Sequence, residues 1–106
     1  MNYKELDTPS LIVDRKQMVK NLKRMQEYAD AHHVGLRPHT KTHKTPALAL
    51  LQKEYGCSGI TVAKVGEAEV MAAAGLTDIF IANEIIGEEK YKRIQKLAET
   101  VNISFG

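Results

Sequence analysis

Four short β-prone runs recur along the chain, centred near Leu36, Thr61, Ile81 and Ile103, at spacings of 20 to 25 residues. That spacing is the period of a βα unit: a short strand, a helix and two short loops. Parallel strands need a crossover between them, and a helix of this length supplies it. The repeat therefore predicts an α/β fold with a parallel sheet, and by continuation a TIM-type (β/α)-barrel. A complete barrel of that kind needs about 250 residues, whereas 106 are present. The chain is thus expected to hold about half of the barrel and to be the N-terminal part of a longer protein.

Local signals place the elements. Leu11-Ile12-Val13 is a short apolar run ending at Asp14, which suits the N-cap of a helix with Gln17 three residues on. Met18, Leu22, Met25 and Ala29 follow at helical spacing. The next strand spans Val34 to Lys41. Thr45-Pro46 then opens a helix expected to bury Leu48, Leu51 and Ala47 and to stop near Gly56. Gly59–Ala63 is a strand, Val65–Ala74 a helix, Asp78–Asn83 a strand, Glu88–Glu99 a helix and Asn102–Phe105 the start of a last strand.

The most informative stretch is Leu36-Arg37-Pro38-His39-Thr40-Lys41-Thr42-His43-Lys44. Side chains alternate along a strand. One face therefore carries Arg37, His39, Lys41 and, if the strand continues, His43. Cations on the inward face of a barrel are costly unless they are paired or used, and barrel active sites gather at the C-terminal strand ends. A lysine there suits covalent catalysis, because its amine condenses with a carbonyl. Arg37 and the histidines would supply a cationic field favouring the neutral amine. Two other readings stand beside this one. The first is a solvated basic strand end. The second is a metal site on His39 and His43, although Lys41 between them repels a cation and no acidic or cysteine ligand lies nearby.

Charge and composition exclude some classes. A net charge of +2 with interspersed acids and bases gives no concentrated basic surface for nucleic acid. No apolar run approaches the ~20 residues of a membrane span, and the N-terminus lacks an apolar signal core. A single cysteine, Cys57, forms no internal disulfide. A cytoplasmic protein without membrane or nucleic-acid partners is expected.

Four blocks in order resemble one family. They are Leu6-Asp7-Thr8-Pro9-Ser10-Leu11-Ile12-Val13-Asp14, Arg37-Pro38-His39-Thr40-Lys41-Thr42-His43-Lys44, Lys64-Val65-Gly66-Glu67-Ala68-Glu69 and Asp78-Ile79-Phe80-Ile81-Ala82-Asn83-Glu84. Together they are similar to the D-threonine aldolase and D-serine dehydratase group of alanine-racemase-like, fold-type III pyridoxal-phosphate enzymes. The resemblance implies that Lys41 forms the Schiff base with pyridoxal 5'-phosphate. It also implies that residues 11–14 form a strand outside the barrel, belonging to a C-terminal β-domain absent from this chain. The barrel then starts near residue 34.

By position, His39 and Arg37 are further cofactor-contact candidates, and His43, Asn83 and Glu84 possible site-lining residues. The group's divalent metal takes ligands beyond this chain, so no metal residue is assigned. The implied activity is a lyase reaction on β-hydroxy-D-amino acids, aldolase-like, with a D-serine dehydratase or a racemase as alternatives. A homo-oligomer, as a dimer, is expected. The 106 residues alone are expected to be inactive, and a non-catalytic, self-associating piece is the rival from another class.

Several residues have simpler readings. His32-His33 ends a helix, where the dipole favours it. Cys57 lacks an activating motif and reads as a structural or incidental thiol. Glu67 and Glu69 suit a helix start, with a site role for Glu67 the weaker reading. Gly66 alone says little about phosphate binding. Lys44 either pairs with a carboxylate or faces solvent.

Overall fold

The computed structural model describes residues 2–106. Among them, helix α1 spans Arg15–Ala31, α2 Pro46–Glu54, α3 Val65–Ala73 and α4 Glu88–Ala98. Strand β1 spans Ile60–Val62, β2 Asp78–Ile81 and β3 Asn102–Phe105. The three strands form one parallel sheet in chain order. Thr61 stands beside Phe80, and Phe80 beside Ser104. Each consecutive pair is joined by a helix, so the architecture is the partial (β/α)-barrel that the βα period predicts.

Capping explains where several helices begin and end. The Asp14 carboxylate accepts the Gln17 backbone N–H at 2.9 Å, as the sequence suggested. Thr45 stands at the N-cap of α2, but its hydroxyl donates to the His43 carbonyl at 2.6 Å and makes no cap bond. Pro46 at the first helical position starts that helix instead. Gly56 and Gly75, with φ of 113° and 102°, turn the chain beyond α2 and α3 in a conformation costly for other residues.

The core lies on the helix side of the sheet. Ile60, Val62, Ile79 and Ile81 are completely buried and meet Ala68 and Met71 of α3 and Ile94 of α4. Each such aliphatic side chain contributes about 1.5–3 kcal/mol of transfer free energy. The opposite face carries His39, Thr61, Phe80 and Ser104 in register. It is only partly covered: Phe80 is half-buried and Ser104 exposed. Parallel sheets are normally covered on both faces. The molecule is accordingly a slab of 47 × 40 × 21 Å, with a radius of gyration of 15.7 Å against the ~13 Å of a compact domain this size.

Two expected strands take other forms. Val34–Lys41 makes no regular strand. It runs parallel to β1 through one bridge, His39 to Thr61, with Ser58 N–H donating to Leu36 O (2.9 Å) and Thr61 N–H to Pro38 O (2.8 Å). Pro38 has no N–H to give a ladder, and the chain turns into a 3-10 turn over Thr40–Thr42 immediately after His39. Leu11–Asp14 has no strand partner among the described residues, and Leu11, Ile12 and Val13 are exposed. On α1, Ala29 is buried, whereas Met25, expected on the same apolar stripe, is 52% exposed. Met25 instead borders a cleft of about 290 Å³ between α1, α2 and the Leu36–Pro38 segment.

Candidate active site

The site is assembled at the C-terminal end of the sheet by the turn that carries Lys41. Thr40 anchors it: the residue is 1% exposed, and its hydroxyl donates to the Thr61 carbonyl at 3.2 Å. His39 Nδ1 accepts the Lys41 backbone N–H at 3.2 Å, capping the turn at its start. Lys44 N–H closes it by donating to Thr40 O at 2.8 Å. The backbone at Lys41 is therefore held from both sides. Its side chain is exposed and has no hydrogen-bond or ion-pair partner among the described residues.

His39 lies two residues before this lysine and holds its backbone N–H. Burial, the charge of Lys41 and that of Lys44 hold it below the ordinary histidine range, against an opposing pull from Glu67. A neutral ring matches its bonding, since Nδ1 must be unprotonated to accept from Lys41. That leaves Nε2 carrying the proton.

His43 is turned another way. The turn ends the strand alternation, so His43 does not share a face with Lys41. Its Nδ1 accepts the Thr45 N–H at 3.0 Å, and its Nε2 lies 3.4 Å from Gln52 Oε1 on α2. It fastens the turn to α2, while the His39 ring holds the Lys41 N–H. Among the described residues no group of three or more metal-ligating side chains is gathered.

Arg37 lies at the other end of the same segment. Its Nη1 donates to Asp78 Oδ1 at 2.8 Å and approaches the Ile60 and Asp78 carbonyls. The Arg37 hydrogen bond holds the Asp78 carboxyl below its usual range, against partial burial. Asp78 begins β2, so this pair sits at the N-terminal edge of the sheet, away from Lys41. Gly59 makes room for it: a Cβ there would fall 2.3 Å from Arg37 Nη1 and 2.9 Å from Asp78 Cγ. The sequence offered no sign of this partnership, because residues 37 and 78 meet only through the sheet register.

Beyond the turn, Lys44 adopts a left-handed φ of 47° and pairs with Glu67 Oε1. Glu67, 9% exposed, accepts the Ala63 N–H on its other oxygen at 2.7 Å. The Ala63 carbonyl in turn accepts Asn83 Nδ2 at 3.1 Å. Asn83 thus joins the ends of β1 and β2, while Glu84 is exposed beside it. This polar chain, from Lys44 to Asn83, links three successive βα units at the end of the sheet where Lys41 stands. Glu67 is its centre. Cys57 takes no part: it is buried, and burial raises its thiol.

Comparison with known proteins identifies the fold. Residues 13–104 match the alanine racemase N-terminal domain. The chain is 46% identical to a D-threonine aldolase from Arthrobacter sp. over 99 residues, covering 93% of this chain and 26% of that protein. It is 49% identical to a D-threo-3-hydroxyaspartate dehydratase from Delftia sp. (strain HT23) over 77 residues, covering 73% and 20%. The crystal structure of D-threonine aldolase from Filomicrobium marinum superimposes with a TM-score of 0.92 at 41% identity, covering 93% of this chain and 27% of that one. The chain spans about a quarter of the length of these relatives. It belongs to the alanine racemase N-terminal domain family, whose TIM-barrel-like fold it carries in part.

Proposed function

We propose that Lys41 is the attachment point for pyridoxal 5'-phosphate in a lyase acting on β-hydroxy-D-amino acids, in the manner of a D-threonine aldolase. One observation carries the reading: Lys41 presents an unengaged amine at the C-terminal end of a parallel sheet, on a backbone fixed by Thr40 and His39. The residues fit an aldehyde-bearing group, which needs a primary amine free of a carboxylate partner. When bound, the cofactor supplies an electron sink for negative charge at the substrate's Cα.

This chain's residues do the positioning. Thr40 and His39 set where the amine emerges. His39 keeps a neutral ring beside it, with Nε2–H as a donor. Arg37 takes no part in cofactor contact on this reading, because Asp78 occupies it at the far end of the segment. Asn83 and His43 act by fastening loops. Glu84 is left as the exposed site-lining candidate. A divalent metal would draw its ligands from beyond this chain, as would the cofactor's phosphate. The reading places the protein in the cytoplasm as a dimer.

A dehydratase outcome is the specific alternative, since the Delftia relative carries that name at 49% identity. One experiment separates the two. Residues 2–106 replace the matching quarter of the Arthrobacter aldolase, and the hybrid is assayed on D-threonine and on D-threo-3-hydroxyaspartate. Cleavage of D-threonine to glycine and acetaldehyde, abolished by Lys41→Ala, is the expected result. Release of ammonia and a keto acid from hydroxyaspartate alone would move the assignment to a dehydratase. A folded hybrid inert on both would overturn the reading.

A further inference from the structure

Two lysines share the Lys41–Lys44 turn, and an aldehyde arriving at this end of the sheet meets both. Their surroundings differ. Lys41 has no partner among the described residues, whereas Lys44 is held by Glu67. Exposure does not separate them, because the Lys44 side chain is itself 59% exposed. What separates them is the carboxylate. Glu67 is 9% exposed, and its two oxygens are divided between Lys44 and the Ala63 N–H. To react, Lys44 must lose a proton and leave Glu67, stranding a largely buried carboxylate with one backbone donor. Leaving a buried charged group short of a partner is costly.

We infer that Glu67 is a specificity-determining residue that reserves the aldehyde for Lys41 by keeping Lys44 engaged. The step it governs is the condensation of an amine with an aldehyde. The amine nitrogen bonds to the aldehyde carbon, the carbonyl oxygen leaves as water with two protons from the nitrogen, and no oxidant or reductant is consumed. Glu67 touches neither reacting atom and acts through Lys44. Its second oxygen, on Ala63 N–H, ties the same turn to the end of β1. The Lys44 backbone at φ 47°, uncommon for a residue with a side chain, orients the ammonium toward α3. There the pair borders an open hollow with Lys64, Gly66 and Val70. This inference rests on the assignment of Lys41 above, and the test separates the two.

The chain and its Glu67→Gln variant are each treated with limiting acetic anhydride and, separately, with pyridoxal phosphate followed by borohydride. Modified lysines are mapped by mass spectrometry. Glutamine keeps an acceptor for the Ala63 N–H and removes the charge. In the wild type, Lys44 should acetylate more slowly than Lys41. In Glu67→Gln its rate should rise about tenfold, the size of one charged hydrogen bond, and the pyridoxyl adduct should spread from Lys41 to Lys44.

Equal acetylation of the two lysines in the wild type overturns the inference without any variant, so a poorly folding Glu67→Gln does not shield it. An unchanged Lys44 rate in a folded Glu67→Gln overturns it as well. If pyridoxal phosphate labels neither lysine while Lys44 acetylation still rises in Glu67→Gln, the cofactor assignment falls and the control of Lys44 by Glu67 stands.

Discussion

The segment from Arg37 to Lys41 has a cation at each end, and the two ends are built differently. At the floor of the sheet, Arg37 is matched to Asp78 over a glycine that has no side chain to obstruct it. At the top, Lys41 has no partner among the described residues, while the residues around it, Thr40, His39 and Lys44, are each committed to holding the turn. A barrel can thus place like charges a few residues apart in one segment and give them opposite tasks. The paired cation supports the fold. The unpaired one is available for chemistry.

Lys41→Ala should break the comparison most sharply. It removes the proposed attachment point, so activity of the hybrid enzyme should vanish. An exposed side chain with no partner should also cost less than about 0.5 kcal/mol of stability, read by urea denaturation. Arg37→Met should do the reverse. It leaves Asp78 without its ion-pair partner and should destabilise by about 1–3 kcal/mol, while the pyridoxal phosphate labelling of Lys41 stays as in the wild type.

Gly59→Ala should cost a similar amount, about 1–3 kcal/mol, because the new methyl falls on both Arg37 Nη1 and Asp78 Cγ and drives the guanidinium out of its ion pair. Combined with Arg37→Met, the two costs should come to less than their sum, since the changes share the Arg37 contact, while the crowding of Asp78 Cγ remains. The smallest effect is in pH. The folded Asp78 pKa lies below its unfolded value, so its contribution is fully present above the ordinary carboxylate range near 3.9. It fades as pH falls through the depressed folded value. Acid titration of stability should therefore be shallower in Arg37→Met than in the wild type below about pH 4.

Much of the architecture could be read from the chain because its signals are local. The βα period, the Asp14 cap and the glycines after α2 and α3 act within a few residues, and β1, β2 and β3 fall inside the expected runs. The first barrel segment departed from its pattern for an equally local reason. Pro38 withholds a donor, and Thr40 finds a buried acceptor on β1, so the chain turns at His39. Side-chain alternation then ceases to describe Lys41 and His43.

The site was legible only in part. Lys41 stood out by residue type, position and family likeness. The Arg37–Asp78 pair and the Lys44–Glu67–Ala63 link join residues 41 and 23 positions apart, and only the sheet register brings them together. The exposure of Leu11–Val13 shows the same limit. A strand needs a partner, and the described residues provide none.

The most direct test of the central claim is to treat the wild-type chain with pyridoxal phosphate, reduce with borohydride and map every modified lysine. An account in which the fixed turn presents one unengaged amine predicts a dominant pyridoxyl adduct on Lys41, retained in Arg37→Met. Adducts scattered over the exposed lysines, with Lys41 no more modified than Lys16 or Lys20 on α1, would contradict it.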